Sequence, residues 1–322
     1  METQSVSSLI DNSTRHFGRI RTILVAVLML AATKPLAATT DYASQVTQAR
    51  LFMEPLAWVG KGPPPEIESG ELLGDIGIFK SDGVDEGFVA LEHFLTGHPH
   101  SAWAPALEVN MAEYDRRTGL YSQALSHWQA AWDATKNSKD AVGQKIAVQA
   151  FAGWTRLLAS LGHATELTGL YAELDALHLR LGVYATTIQE TRDALGIMEA
   201  RPGLSYRCGS YALGHLAMAL HGKQSVIRGL FDVDSPNAGF TMAEILALAK
   251  TNGLAVEAVR RPAGAKLIVP CVVHWKLNHY AAITEEKNGR YLVEDPTFEG
   301  DIWIDGATID AESSGDFILP SD

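Results

Sequence analysis

Residues 267–294 read LIVPCVVHWKLNHYAAITEEKNGRYLVE, and this stretch sets the fold class. It contains three β-type runs, Leu267–Trp275, His279–Glu285 and Arg290–Glu294, rich in β-branched and aromatic residues. The tip Lys287-Asn288-Gly289 joins the last two, and Asn-Gly there is a strong signal for a tight hairpin. A fourth run, Leu254–Val259, precedes them. Upstream, a helix is predicted over about 207–221, followed by a Gly/Pro/Asn loop at 232–239. A second helix opens at Thr241, with Glu244 three residues on as a capping box. Strands that follow a long helical text predict an α+β chain.

That helical text runs from about Val84 to Glu199. Proline almost vanishes after Pro105, and Ala, Leu, Glu, Gln and Arg dominate, so four to six helices are predicted. Gly119, Tyr121, Ala124, Trp128 and Ala131 give the pattern G-x-Y-x-x-A-x-x-x-W-x-x-A, which resembles the second half of a tetratricopeptide repeat. The resemblance implies a turn at Gly119, close helix approach at the alanines and Trp128 in the core. A weaker echo starts at Gly162 with Ala164, Leu167, Leu170 and Tyr171, 43 residues after Gly119. This step exceeds the usual period of about 34, so a plain helical bundle stays open. Before this region, a short helix fits residues 40–58, Gly60-Lys61-Gly62-Pro63-Pro64-Pro65 breaks it, and 66–87 show no clean period.

The N-terminus has its own logic. Arg15, Arg19 and Arg21 precede the apolar run ILVAVLMLAA at 23–32, and Leu36-Ala37-Ala38 follow. The run is too short to span a bilayer, and this order is that of a secretory signal peptide. Residues 1–38 are therefore expected to direct export to the periplasm or exterior, a membrane anchor or a buried helix being the alternatives. No later run reaches membrane length, so no membrane span is expected once the signal is removed.

Lys and Arg total 26 against 38 Asp and Glu, a net charge of −12, which disfavours nucleic-acid partners. Two cysteines build neither a disulfide framework nor a four-thiolate zinc site. His93, His98 and His100 lack a neighbouring Cys or acid pair at ligand spacing and read as a solvated turn. Asp232 and Asp234 lack the alternation of a calcium loop. No metal and no cofactor are expected.

Cys208 stands at the predicted start of a helix, in Tyr206-Arg207-Cys208-Gly209-Ser210-Tyr211-Ala212-Leu213. A thiol there feels the positive end of the helix dipole, which favours thiolate. Gly209 is read as room for a substrate backbone. His279 opens a strand, and Asp295 follows 16 residues on, after the returning strand of the hairpin, so the two are expected as neighbours. Nucleophile, base and orienting carboxylate are what acyl transfer by a thiol requires. Cys271, in an apolar strand, reads as core. His274 is the rival base, placed on the opposite face from His279 if the strand is continuous.

At these residues the sequence resembles the bacteriocin-processing, double-glycine-type cysteine peptidases, a papain-like family. The resemblance covers roughly residues 199–320 through motifs in the family's order. They are the Cys-Gly-x-x-Ala-Leu helix at 208–213, the helix–strand unit Thr241–Val259 and the strand Val269–Trp275. Asn278-His279-Tyr280, Glu294-Asp295-Pro296 and the closing strand Gly315–Pro320 complete the set. It implies cleavage of peptides after a small-residue pair, with Cys208 as nucleophile, His279 as base and Asp295 as orienter. The family's glutamine six residues before the cysteine, an oxyanion donor, is Pro202 here. The expected oxyanion donors are then the Cys208 amide with Ser205 or Tyr206.

The expected organisation is a signal peptide at 1–38, a linker with a short helix at 39–83, a helical tetratricopeptide-like region at 84–198 and a papain-like α+β peptidase domain at 199–322. The expected function is an exported cysteine peptidase whose helical region docks a peptide or protein partner. The alternatives are a catalytically silent peptide-binding domain, a transglutaminase-like acyl transferase and an interaction protein built on the helices.

Overall fold

The β-type runs form one six-stranded antiparallel sheet. In the computed structural model, which describes residues 41–222, 227–295, 298 and 300–321, the strands are β1 (Val256–Arg260), β2 (Cys271–Trp275), β3 (His279–Lys287), β4 (Arg290–Glu294), β5 (Ile302–Asp305) and β6 (Ser313–Pro320). Their order is β1-β6-β2-β3-β4-β5. The closing strand β6 thus sits between β1 and β2. Asn288 and Gly289 both take positive φ at the β3–β4 tip, as the Asn-Gly turn requires. β2 starts only at Cys271, because Pro270 has no N–H to give a ladder. Residues 1–38, the expected signal peptide, lie outside the described residues.

Alternation on β2, β3 and β6 splits the sheet into two buried faces. Val272, Tyr280 and Ile318 pack under helices α10 (Cys208–His221) and α12 (Met242–Thr251), with Leu213, Leu216 and Ile245. Val273, Ala281 and Phe317 point the other way, into a cluster with Cys271, Trp275, Ile304 and Ile309. The capping box forms as read: Thr241 accepts from the Glu244 N–H and Glu244 accepts from the Thr241 N–H. Two short elements, α11 (Arg228–Phe231) and α13 (Gly306–Glu312), complete this part.

The helical region comprises α1 (Tyr42–Gln48), α2 (Glu66–Ser81), α3 (Val84–Gly97), α4 (Ala104–Thr118), α5 (Tyr121–Thr135), α6 (Ala141–Leu161), α7 (Ala164–Leu177) and α8 (Ala185–Ala200); the four-residue α9 (Pro202–Ser205) leads to α10. α2 occupies residues without a clean apolar period. Its buried residues Ser69, Leu72 and Ile76 are fixed by tertiary packing, Ser69 accepting from the Trp103 indole at 3.2 Å. Gly119 and Gly162 end α4 and α6 in the left-handed region, at φ 88° and 77°. Ala124, Trp128 and Ala131 are buried in one core with Trp103, Trp132 and Phe151.

This region packs directly against the sheet domain. Glu312 accepts from the Ser122 backbone N–H at 3.1 Å and from its hydroxyl at 2.7 Å. The His163 ring donates through Nε2 to the Leu277 carbonyl at 3.2 Å, tying the α6–α7 turn to the β2–β3 loop.

Candidate active site

Cys208 is the first residue of α10, whose N-cap, Arg207, provides no side-chain cap. The first N–H groups of that helix have no intrahelical acceptor and present positive charge beside the thiol. Arg207 is turned away and paired with Asp234. His279, the first residue of β3, sits at the sheet end beneath this helix terminus and is 1% exposed. Its Nε2 lies 2.6 Å from Asp295 Oδ2, and Asp295 is 4% exposed. The imidazole stands beside the Cys208 sulfur, close enough for its charge and hydrogen-bonding capacity to act on the thiol, and the backbone N–H of Tyr280 acts on the same sulfur. With Nε2 committed to Asp295, Nδ1 is the nitrogen left for the thiol. The structure therefore brings Cys208, His279 and Asp295 into one chain.

The electrostatics of that chain favour an ion pair. Burial pushes the Cys208 thiol up, and the charge and hydrogen bond of His279, with the Tyr280 N–H, outweigh it, so the thiol ends below its ordinary value despite an opposing push from Asp295. Burial pushes His279 down, and Asp295 and the Cys208 sulfur more than reverse this, raising the imidazole well above its ordinary range. Cys271 is the contrast. It is fully buried in β2 and burial pushes its thiol up to about 12, consistent with a core residue. Both cysteines are free.

Cys208 opens onto a cleft lined by the α6–α7 turn (residues 161–166), Tyr206, the loop 237–240, Asn278 and Tyr280. Of the two expected side-chain oxyanion donors, only Tyr206 faces this cleft. Ser205 ends the short α9 and gives its hydroxyl to the Arg201 carbonyl at 3.2 Å, the ordinary fate of a helical serine. Gly209 does not face substrate either. It is buried, and a Cβ there would meet Ile245 at 2.7 Å, so its role is close packing of α10 on α12.

His274 and His279 do not share a continuous strand. A three-residue turn separates β2 from β3, and His274 pairs with Tyr280 in the ladder. Its Nδ1 hydrogen-bonds the Ser314 hydroxyl at 2.9 Å. His98 pairs with Glu71 at 2.6 Å, far from the cleft in the sequence of elements.

Two contributions to the site have no sequence signal. Phe298 stands edge-on to the His279 ring at 5.4 Å and stacks on Tyr121 of α5 at 4.3 Å, so the helical region reaches the histidine through one aromatic. The α6–α7 turn is the other, as a wall of the cleft. Among the described residues no helix is long and apolar enough to cross a membrane.

Residues 203–322 match the Peptidase C39 family. No curated protein matches the chain. Among solved structures, the crystal structure of a double glycine motif protease from an AMS/PCAT transporter in complex with the leader peptide aligns at 23% identity, over 35% of this chain and 84% of that one, with a TM-score of 0.29. The family match and the α+β architecture agree, and residues 203–322 constitute a C39 peptidase domain of the cysteine-peptidase, hydrolase class.

Proposed function

We propose that the chain is an exported peptidase whose triad is Cys208, His279 and Asp295, and that it cleaves peptides after small residues. The observation that carries this is the juxtaposition of a helix-terminal thiol, the His279 ring whose charge lowers it, and a buried carboxylate hydrogen-bonded to that ring at 2.6 Å. The Cys208 thiolate attacks the scissile carbonyl carbon, and the carbonyl electrons collapse onto oxygen. The Cys208 amide and the Tyr206 hydroxyl are the candidate donors to that oxyanion. His279 then passes its Nδ1 proton to the departing amine, leaving a thioester on Cys208. Water, deprotonated by the now neutral His279, attacks the thioester, and the thiolate returns. Asp295 holds Nε2–H throughout, which keeps the tautomer and offsets the imidazolium charge.

The helical region is proposed to dock the substrate. Support comes from the α6–α7 turn, which forms a wall of the cleft, where Gly162 is packed so closely that a Cβ would lie 2.7 Å from the Tyr206 ring. The test is a peptide carrying a small-residue pair and a thiol-reactive warhead. Covalent labelling of the wild type with none on Cys208→Ser, and cleavage of the matching peptide, are expected. The absence of a glutamine at Pro202 favours a second reading, a silent domain that binds peptide. That reading is distinguished by peptide binding with neither labelling nor cleavage.

A further inference from the structure

Outside the cleft, three helices converge on one imidazole. His127 of α5 meets Glu108 of α4 at Nδ1; its Nε2 lies 2.7 Å from Glu92 Oε1 of α3 and 3.4 Å from Asp115 Oδ2 of α4. Glu108 and Asp115 are seven residues apart, so two helical turns bring them to one face. The Asp115 side chain is 4% exposed, and its Oδ2 is buried without a hydrogen-bond partner. Three carboxylates around one imidazole leave excess negative charge in a site mostly withdrawn from water, and such a charge needs a cation or a proton.

We infer that His127 Nε2, Glu92 and Asp115 bind a divalent transition-metal ion of the zinc type, with Glu108 orienting the ring from Nδ1. One nitrogen and two carboxylate oxygens suit such an ion, and a carboxylate on the far ring nitrogen is the usual support for a histidine ligand. The three ligand atoms lie within 4.8 Å of one another. Bonds of about 2.0–2.1 Å at tetrahedral angles put ligand atoms about 3.3 Å apart. The Asp115–His127 separation of 3.4 Å already fits. Glu92, at 2.7 Å, has to withdraw by roughly 0.6 Å to reach that spacing. Its side chain is 40% exposed and has room to turn. The ion would clamp α3, α4 and α5 together, within two turns of Tyr121 and Ser122, the residues through which α5 touches the peptidase domain.

The rival occupant is a proton, with His127 bridging Glu92 and Glu108 as imidazolium and Asp115 left without a hydrogen bond. The test uses the full chain carrying Cys208→Ala, which removes a thiol that would itself bind zinc. After chelator treatment, zinc chloride is titrated by calorimetry and the thermal midpoint is followed. One equivalent bound at micromolar affinity or tighter, with a raised midpoint, is expected. Glu108→Gln should weaken binding by about 10–100-fold. Glu92→Ala, at a partly exposed position, should weaken it at least tenfold, and Asp115→Asn should abolish it while far-UV circular dichroism is unchanged. If Asp115→Asn does not fold, Glu92→Ala decides. No binding, or undiminished affinity in Glu92→Ala, overturns the inference and leaves the proton as occupant.

Discussion

Replacing Asp295 by Asn separates orientation from charge in the proposed triad. The amide occupies the same volume, and its oxygen can still accept from His279 Nε2–H, so the fold should persist. What is lost is the negative charge 2.6 Å from a ring nitrogen in a site where both side chains are nearly inaccessible to solvent. Removing one partner of such a buried pair costs the fold about 3–5 kcal/mol. On the rate, the equivalent change in a serine triad costs about 10⁴ in kcat, so kcat/KM should fall by about 10²–10⁴. The loss should fall on kcat, since Asp295 lies behind the histidine. The pH profile carries the sharper signature. His279 is held high by Asp295 against burial, so without the carboxylate its pKa falls and the alkaline limb moves to lower pH. Cys208 feels two opposed changes, loss of a repelling carboxylate and of a firm imidazolium, so the acid limb moves less. A raised folded-state pKa adds stability below the unfolded value of about 6.5 and loses it as pH rises through the folded value. The stability deficit of the variant should therefore be larger at pH 6 than at pH 10. Initial rates on a fluorogenic peptide with a small-residue pair, across pH, provide the assay. A variant within threefold of wild type with an unmoved alkaline limb would refute the reasoning.

Three further changes probe the surroundings. Tyr206→Phe removes the one cleft-facing side-chain donor among those expected and should cut kcat by about 10²–10³ with KM little changed; an unchanged kcat removes Tyr206 from the oxyanion site. Gly162→Ala, at φ 77° and with its Cβ 2.7 Å from the Tyr206 ring, should cost about 1–2 kcal/mol of stability and lower kcat/KM, while alkylation of Cys208 by a small reagent stays normal. An undiminished kcat/KM there would argue against the helical wall. His274→Ala loses a hydrogen bond to Ser314 and a ring contact with Tyr280, and should destabilise by about 1–3 kcal/mol in denaturant melts while leaving kcat within a few-fold. A dead but stable variant would make His274 the base.

The pairing of His279 with Asp295 was legible because a local rule fixes it: Asn288-Gly289 turns the hairpin and returns the strand that leads to Asp295. The thiol was legible from its place between a Pro-Gly break and a helix. What local rules could not supply is set by distant packing. α2 lacks a clean period because Gly70, Gly74 and Gly77 interrupt it and its buried Ser69 answers to Trp103, 34 residues away. β5 is four residues between Asp301 and Gly306, too short to stand out, and is held by pairing with β4. Ser205 and Gly209 were misassigned to the cleft because sequence position near Cys208 does not say which way a helical residue points. The wall from the α6–α7 turn, Phe298 beside His279 and the carboxylates around His127 join residues from separate helices and loops, and no spacing encodes them.

The claim at the centre is a thiolate held by an imidazolium. Its most direct measurement is the rate of iodoacetamide alkylation of Cys208 at pH 6, read by peptide mass spectrometry with buried Cys271 as the internal reference. Rapid modification of Cys208 at pH 6, no modification of Cys271 until the chain is denatured, and loss of the pH 6 reaction in His279→Ala are expected. A Cys208 that reacts at pH 6 no faster than an ordinary thiol, or equally fast without His279, would contradict the account.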